Sequence, residues 1–126
     1  MKEHWDVKGI FKNKTYRFDV KGMKKKNRWD NNFQDDIAWV EGTNVRGEPG
    51  WVKGKADYIV FERNDYWLVV DRKELYNHVV QKVKENGVQQ GRGIYKVYQR
   101  AGRQDKITMV PFDNIEKLIN IHKVQK

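Results

Sequence analysis

Residues 5–21 read WDVKGIFKNKTYRFDVK, the most informative stretch of this chain. The segments Trp5 to Phe11 and Thr15 to Lys21 both alternate between apolar and polar residues, which is typical of half-buried β-strands. Asn13-Lys14 suits a two-residue turn because Asn tolerates a positive φ, and a turn shifted to Lys12-Asn13 is the alternative. The stretch therefore predicts a β-hairpin.

The polar face of this hairpin carries Asp6, Asp19 and Lys21. The turn at Asn13-Lys14 pairs Asp6 with Lys21, whereas the shifted turn pairs Asp6 directly with Asp19. In either register the three side chains share one face, because side chains along a strand alternate with a period of two. The opposite face is expected to be the core side, and it consists of Trp5, Val7, Phe11, Tyr16, Phe18 and Val20.

Two carboxylates on paired strands repel each other unless a cation compensates them. A divalent metal is one such cation, and Mg²⁺ is typically held by one or two carboxylates together with water and phosphate oxygens. A lysine such as Lys21 then orients a water or stabilises charge on the phosphorus centre. The alternative is a solvated strand face on which Asp6 and Asp19 pair with Lys8, Arg17 and Lys21.

The spacing of these residues resembles a known nuclease motif. Asp6, twelve intervening residues and then Asp19-Val20-Lys21 resemble the motif of the PD-(D/E)xK nuclease superfamily, in particular its small phage-type and Holliday-junction-resolvase-like members. The resemblance implies a restriction-endonuclease-like α/β fold, with a mixed central β-sheet and flanking helices. It also implies a Mg²⁺- or Mn²⁺-dependent endonuclease that acts on nucleic acid, DNA rather than RNA. Asp6 and Asp19, with the carbonyl of Val20, would bind the metal, and Lys21 would be the catalytic lysine.

A later stretch extends the resemblance, and the N-terminus departs from it. Residues 50–62, GWVKGKADYIVFE, resemble later strands of small members, so the similarity covers Trp5 to Lys73. Members usually begin with a helix that packs on the sheet, yet only five residues precede Asp6. The alternative is therefore a catalytically inactive, nuclease-derived protein, phage-encoded, that binds nucleic acid or acts as an inhibitor.

A second placement of the same motif uses Asp57 and Asp71-Arg72-Lys73. A turn at Asn64-Asp65 would pair Asp57 with Arg72 and leave Asp71 on the other face, unless a bulge shifts the register. Asp71 also precedes a helical pattern, so it is better explained as the helix N-cap, with Glu74 as its capping-box partner.

Basic residues dominate the charge, which is +9 over 126 residues. Residues 21–28 read KGMKKKNR and directly follow the second strand. Such a run suits a phosphate backbone, although a solvated basic surface is the alternative. The residues expected to contact nucleic acid are Lys24, Lys25, Lys26, Arg28, Arg92 and Arg103. Gln34 and Glu41 are candidate accessory residues beside the metal.

The remaining sequence predicts one domain, residues 1–126, with two helices. The chain has no cysteine, no signal-peptide pattern and no run of 18 apolar residues, as expected of a soluble cytoplasmic protein. Apolar stripes predict helices over 73–86 and 113–122, with strands over 37–43, 56–62, 66–70, 93–100 and 106–110. Trp51 is expected in the core. Two helices are too few to cover both faces of such a sheet, which predicts a homodimer or a docked partner.

Overall fold

The computed structural model describes residues 5–11, 13–25, 33–34, 36–43, 49–87, 90–91, 93–99 and 106–126. The strands in these residues are β1 Val7–Phe11, β2 Lys14–Lys21, β3 Lys24–Lys25, β4 Phe33–Gln34, β5 Ile37–Thr43, β6 Tyr58–Glu62, β7 Tyr66–Asp71, β8 Val97–Gln99, β9 Lys106–Pro111 and β10 Ile121–Gln125. The helices are α1 Arg72–Glu85 and α2 Phe112–Ile115, and a 3-10 turn spans Trp51–Lys53.

The strands form a mixed five-stranded sheet and a smaller antiparallel sheet. The larger sheet has the order β1-β2-β6-β7-β10, with β2 parallel to β6 and the other neighbours antiparallel. The smaller sheet has the order β5-β9-β8, and β3 pairs with β4 in a separate two-stranded ladder. The expected α/β class with a mixed sheet is confirmed, whereas the finer nuclease-like fold stays a prediction.

The first hairpin uses the shifted turn. Phe11 pairs with Lys14, Val7 pairs with Phe18, and Asn13 has a φ of 64°. Continuing this register by one residue brings Asp6 opposite Asp19, and the Asp6 amide donates to the Phe18 carbonyl at 2.7 Å. The alternative with Asp6 beside Asp19 is therefore the observed one.

One face of the larger sheet forms the core. Its β6 and β7 side chains pack with α1, α2, the 3-10 turn and one face of the smaller sheet. The buried apolar residues are Ala38, Val40, Trp51, Val52, Ala56, Ile59, Phe61, Leu68, Val70, Leu75, Val79, Tyr95, Val110, Phe112 and Ile115. Trp51 is thus a core residue, as expected.

The prediction of which hairpin face is buried is wrong. Val7 and Val20 on the expected core face are 51% and 38% exposed, whereas Asp19 on the polar face is 3% exposed. The reason is the parallel ladder, in which Asp19 is the neighbour of Ile59 and Lys21 the neighbour of Phe61. Because neighbouring residues in a sheet point to the same side, the acidic face of the hairpin is turned toward the core.

The helix predicted over 113–122 is also wrong. Helix α2 ends at Ile115, and β10 pairs with β7 along a ladder from Ile121↔Val70 to Gln125↔Tyr66. Without β10, the amides and carbonyls of β7 would form an open sheet edge. The strand pairing that closes this edge is more favourable than the helix that the local pattern predicts. Of the predicted apolar stripe, Ile115 is buried and Leu118 is half-buried against the core.

Helix α1 matches its prediction, and its first turn shows that Asp71 does not share a site with Asp57 in the second placement of the motif. The Asp71 carboxylate accepts a hydrogen bond from the Glu74 amide at 2.9 Å, so Asp71 is the N-cap. The β6–β7 register runs without a bulge from Tyr58↔Asp71 to Glu62↔Trp67, and the Arg72 amide donates to the Asp57 carbonyl. Asp57 therefore lies opposite Arg72, as expected from a turn at Asn64-Asp65, and Asp57 and Asp71 do not share a face. The Glu74 carboxylate instead accepts from Ile119 and Asn120, so the predicted capping box is only half formed.

No helix among the described residues is long and apolar enough to cross a membrane.

Candidate functional site

The candidate site begins with Asp6 and Asp19, which the hairpin brings face to face. Asp6 flanks β1 and is exposed, and its Oδ2 accepts a hydrogen bond from the Val20 amide at 2.9 Å. Asp19 lies in the middle of the sheet face that is turned inward. The two carboxylates therefore form a pair with one exposed and one buried member.

Burial dominates the electrostatics of Asp19. The pKa of Asp19 is raised from 3.8 to about 6, chiefly because the ionised form loses its hydration on burial. The Lys21 ammonium, 3.2 Å from Oδ1, lowers this pKa by charge and hydrogen bonding. Asp6 raises it, both as a hydrogen-bonding partner of the protonated form and as a like charge.

The second oxygen of the ionised Asp19 carboxylate lacks a donor among the described residues. Asp19 Oδ2 is buried, and no described group donates a hydrogen bond to it. Its carboxylate neighbour Asp6 offers no donor when both groups are ionised, since carboxylates are then acceptors only. The pair can therefore be satisfied by a shared proton or by a cation.

Lys21 is held on its other side by an aromatic ring. Its Nζ lies 5.0 Å from the ring centroid of Trp51, which itself packs edge-on against Phe61. A cation over an indole face is attracted by the ring quadrupole. Trp51 thus positions the lysine that neutralises Asp19, a role that its aromatic character alone did not indicate.

The donor set fits Mg²⁺ or Mn²⁺ in part. Two carboxylates, one of which has a buried oxygen without a donor among the described residues, suit a hard cation that takes its remaining ligands from water and phosphate. The described residues contain no group of three or more acidic or histidine side chains arranged for a metal. Asp6 and Asp19 would therefore hold the cation without a third carboxylate from this part of the chain.

The accessory candidates lie at different places. Glu41 is half-buried on β5, with its carbonyl and Cγ against Gly50 at the start of the 3-10 turn. Gln34 pairs with Lys24 through the backbone, and its side chain lies outside the described residues. The Val20 amide donates to Asp6, whereas metal binding by its carbonyl stays a prediction.

Most of the predicted nucleic-acid contacts lie outside the described residues. Lys24 and Lys25 form a two-residue strand next to the site, but the structure describes only their backbone. Residues Lys26, Arg28, Arg92 and Arg103 are not among those described.

A second basic cluster escaped the sequence analysis. Lys53, Lys55 and Lys73 line one polar cavity of about 610 Å³ beside the ends of β6 and β7. The alternation Lys53-Gly54-Lys55 was visible in the sequence, but its convergence with Lys73 depends on the fold.

Comparison of this chain with protein-family models, with curated proteins and with solved structures finds no match.

Proposed function

We propose that this protein is a Mg²⁺-dependent phosphodiesterase that cuts nucleic acid, DNA rather than RNA, at the Asp6–Asp19–Lys21 site. The observation that carries the proposal is the buried Asp19 carboxylate, whose Oδ1 contacts Lys21 while Oδ2 has no donor in the described part of the chain. A buried carboxylate without full compensation is unfavourable for stability, and such groups are concentrated at functional sites.

Each residue of the site has a distinct role in this proposal. Asp6 and Asp19 would hold the metal, which supplies a water of lowered pKa and shields the scissile phosphate when bound. Lys21 orients the attacking water and neutralises charge that develops on the phosphate. Trp51 keeps the Lys21 ammonium within reach of Asp19. The exposed Asp6 marks the side from which a phosphate approaches.

A second candidate function is nucleic-acid binding without cutting, on the same scaffold. The Asp6 oxygen that accepts from the Val20 amide favours it, because this bond gives Asp6 a structural role in closing the hairpin. In this case the Asp6–Asp19 pair would share a proton instead of a metal.

Cutting assays separate the two functions. Purified protein with Mg²⁺ or Mn²⁺ should nick single-stranded, duplex or branched DNA, and Asp19→Asn or Lys21→Ala should reduce the rate at least about a hundredfold. Asp57→Asn is the matched control, because Asp57 belongs to the rival motif and its amide replacement can still accept from the Arg17 amide. Wild-type rates in Asp19→Asn and Lys21→Ala would refute the site, and no cutting by the wild type would favour the binding function.

A further inference from the structure

The outer face of the five-stranded sheet is apolar and open. It alternates with the buried face and is traced by the pairs Val7↔Phe18, Phe18↔Tyr58, Val20↔Val60 and Val60↔Val69. None of these residues is buried, in contrast to the core face. The helices pack on the core face, so the described chain leaves the outer face without a cover.

Three aromatic rings lie together on this open face. Phe18 stacks on Tyr58 with ring centroids 5.7 Å apart, and Tyr16 meets Tyr58 edge-on at 5.6 Å. All three side chains are half-buried. Half-exposed aromatic rings on a sheet surface are the usual platform on which single-stranded bases stack.

Two of the three aromatic rings border a cavity that contains lysine side chains. Tyr16 and Tyr58 also line the cavity of about 610 Å³ that contains Lys53, Lys55 and Lys73. The three lysines reach solvent, and within the described part of the chain none forms an ion pair.

The other charged residues of the cavity are engaged by the protein. The Arg72 guanidinium donates to the carbonyls of Ala56 and Val52. Asp57 and Asp71 accept from the amides of Arg17 and Glu74. These hydrogen bonds leave the charges in place, so the four cations that line the cavity exceed its two carboxylates by two. The three lysines are the cations of this lining whose N–H donors are not engaged by described residues.

We propose that this open face binds single-stranded nucleic acid, with bases stacked on Tyr58, Phe18 and Tyr16 and a phosphate held by Lys53, Lys55 and Lys73. Rings and ammonium groups border the same cavity, which matches the alternation of base and phosphate along a strand. A second copy of the chain fits less well, because it would bring the same excess of positive charge, with a net charge of +9. The inference is independent of cutting at Asp19.

Fluorescence anisotropy tests the face directly, in EDTA so that no metal contributes. The probes are a labelled deoxythymidine oligomer of about 15 nucleotides, an abasic oligomer of equal length and a duplex. Tyr58→Leu, which keeps an apolar side chain, should weaken thymidine-oligomer binding at least about fivefold and leave the abasic oligomer unchanged. Replacing Lys53, Lys55 and Lys73 with Ala should weaken binding of both single strands and lower the salt slope by about 0.7 for each phosphate that is no longer neutralised.

Matched controls exclude a general charge effect and a loss of folding. Alanine at Lys82, Lys84 and Lys117 removes the same charge from positions on other parts of the surface and should change affinity less than twofold. Circular dichroism should show that every variant is folded. Because binding is measured in EDTA and cutting in Mg²⁺ or Mn²⁺, failure of the cutting proposal and failure of this inference are separate results.

Three results would overturn the inference. One is equal affinity of Tyr58→Leu and the wild type for the thymidine oligomer. Another is an equal reduction of affinity for the two lysine triples. The third is a stable dimer in light scattering at micromolar concentration that Tyr58→Leu converts to a monomer, since the face would then be the interface with a second copy, as the expected homodimer requires.

Discussion

At the scale of single residues, the buried Asp19 carboxylate lowers stability and is also the central residue of the proposed site. The parallel pairing of β2 with β6 places this carboxylate among core residues, where Lys21 is the cation of the described residues that compensates it. Burial outweighs Lys21, since the pKa of Asp19 rises to about 6 despite the ammonium at 3.2 Å. A charge held at such a cost is expected to be retained for chemistry instead of folding.

The raised pKa predicts how stability depends on pH. The folded state keeps the Asp19 proton up to a pH of about 6, whereas the unfolded chain loses it near 3.8, so this group lowers stability as pH rises between these values. Asp19→Asn should match the wild type near pH 4 and exceed its free energy of unfolding by roughly 1–3 kcal/mol above pH 6. Urea denaturation at both pH values measures this. An Asn variant that is less stable at neutral pH would contradict the prediction.

Added metal should restore the stability that the ionised Asp19 carboxylate costs the folded state. Mg²⁺ or Mn²⁺ that binds only the folded state raises its stability, by about 2.7 kcal/mol at a hundredfold excess over the Kd. Thermal melts at pH 7.5 should therefore show a metal-dependent rise in Tm for the wild type and for Asp57→Asn. Asp19→Asn should show none, and chelation by EDTA should abolish the wild-type shift. Equal shifts in all three proteins would mean that the cation binds elsewhere.

At the scale of elements, the 3-10 turn Trp51–Lys53 connects the two sheets. Its first flanking residue, Gly50, has no room for a side chain, because a Cβ would lie 2.3 Å from the Glu41 carbonyl oxygen. The Gly50 amide also donates to the Gly42 carbonyl at 3.0 Å. This close approach of backbone to backbone sets the position of Trp51, and through Trp51 that of Lys21.

Gly50→Ala should therefore destabilise the fold for a purely steric reason. Gly50 has a φ of −76°, which alanine adopts without strain, so the expected decrease of about 1–3 kcal/mol comes from the clash with Glu41. Gly42→Ala is the matched control, because a Cβ there would meet no atom of the described residues within 4 Å. Denaturant unfolding compares the two variants. Equal free energies of unfolding for the two variants would show that the β5 backbone moves enough to accommodate the added Cβ.

At the scale of the whole molecule, the net charge and the open sheet face are the features that favour binding of a polyanion. The chain carries 26 basic and 17 acidic residues, an excess that favours a polyanion. The site at Asp19 and the aromatic group at Tyr58 lie on opposite faces of the same sheet. A strand held on the outer face would be retained independently of the chemistry on the other side.

The basic run after β2 should contribute affinity without sequence preference. Replacing Lys24, Lys25 and Lys26 with Ala should weaken binding to all duplexes alike and lower the salt slope by about 0.9 for each phosphate that is no longer neutralised. Alanine at Lys82, Lys84 and Lys117 is again the control of equal charge. Anisotropy titrations over a salt series measure both quantities. An unchanged slope would show that the run is only a solvated surface.

Much of the local structure could be predicted from the sequence by itself. The period of two places Asp6, Asp19 and Lys21 on one face, and Asp71 caps α1 as its spacing indicates. Only the tertiary structure decided which hairpin face is buried, because that depends on β2 lying beside β6, a pairing between segments about 40 residues apart. It likewise converted the C-terminal helical pattern into β10, because β7 needs a partner. Alternation and capping are local and are encoded by neighbouring residues, whereas burial depends on strand pairings that no local pattern encodes.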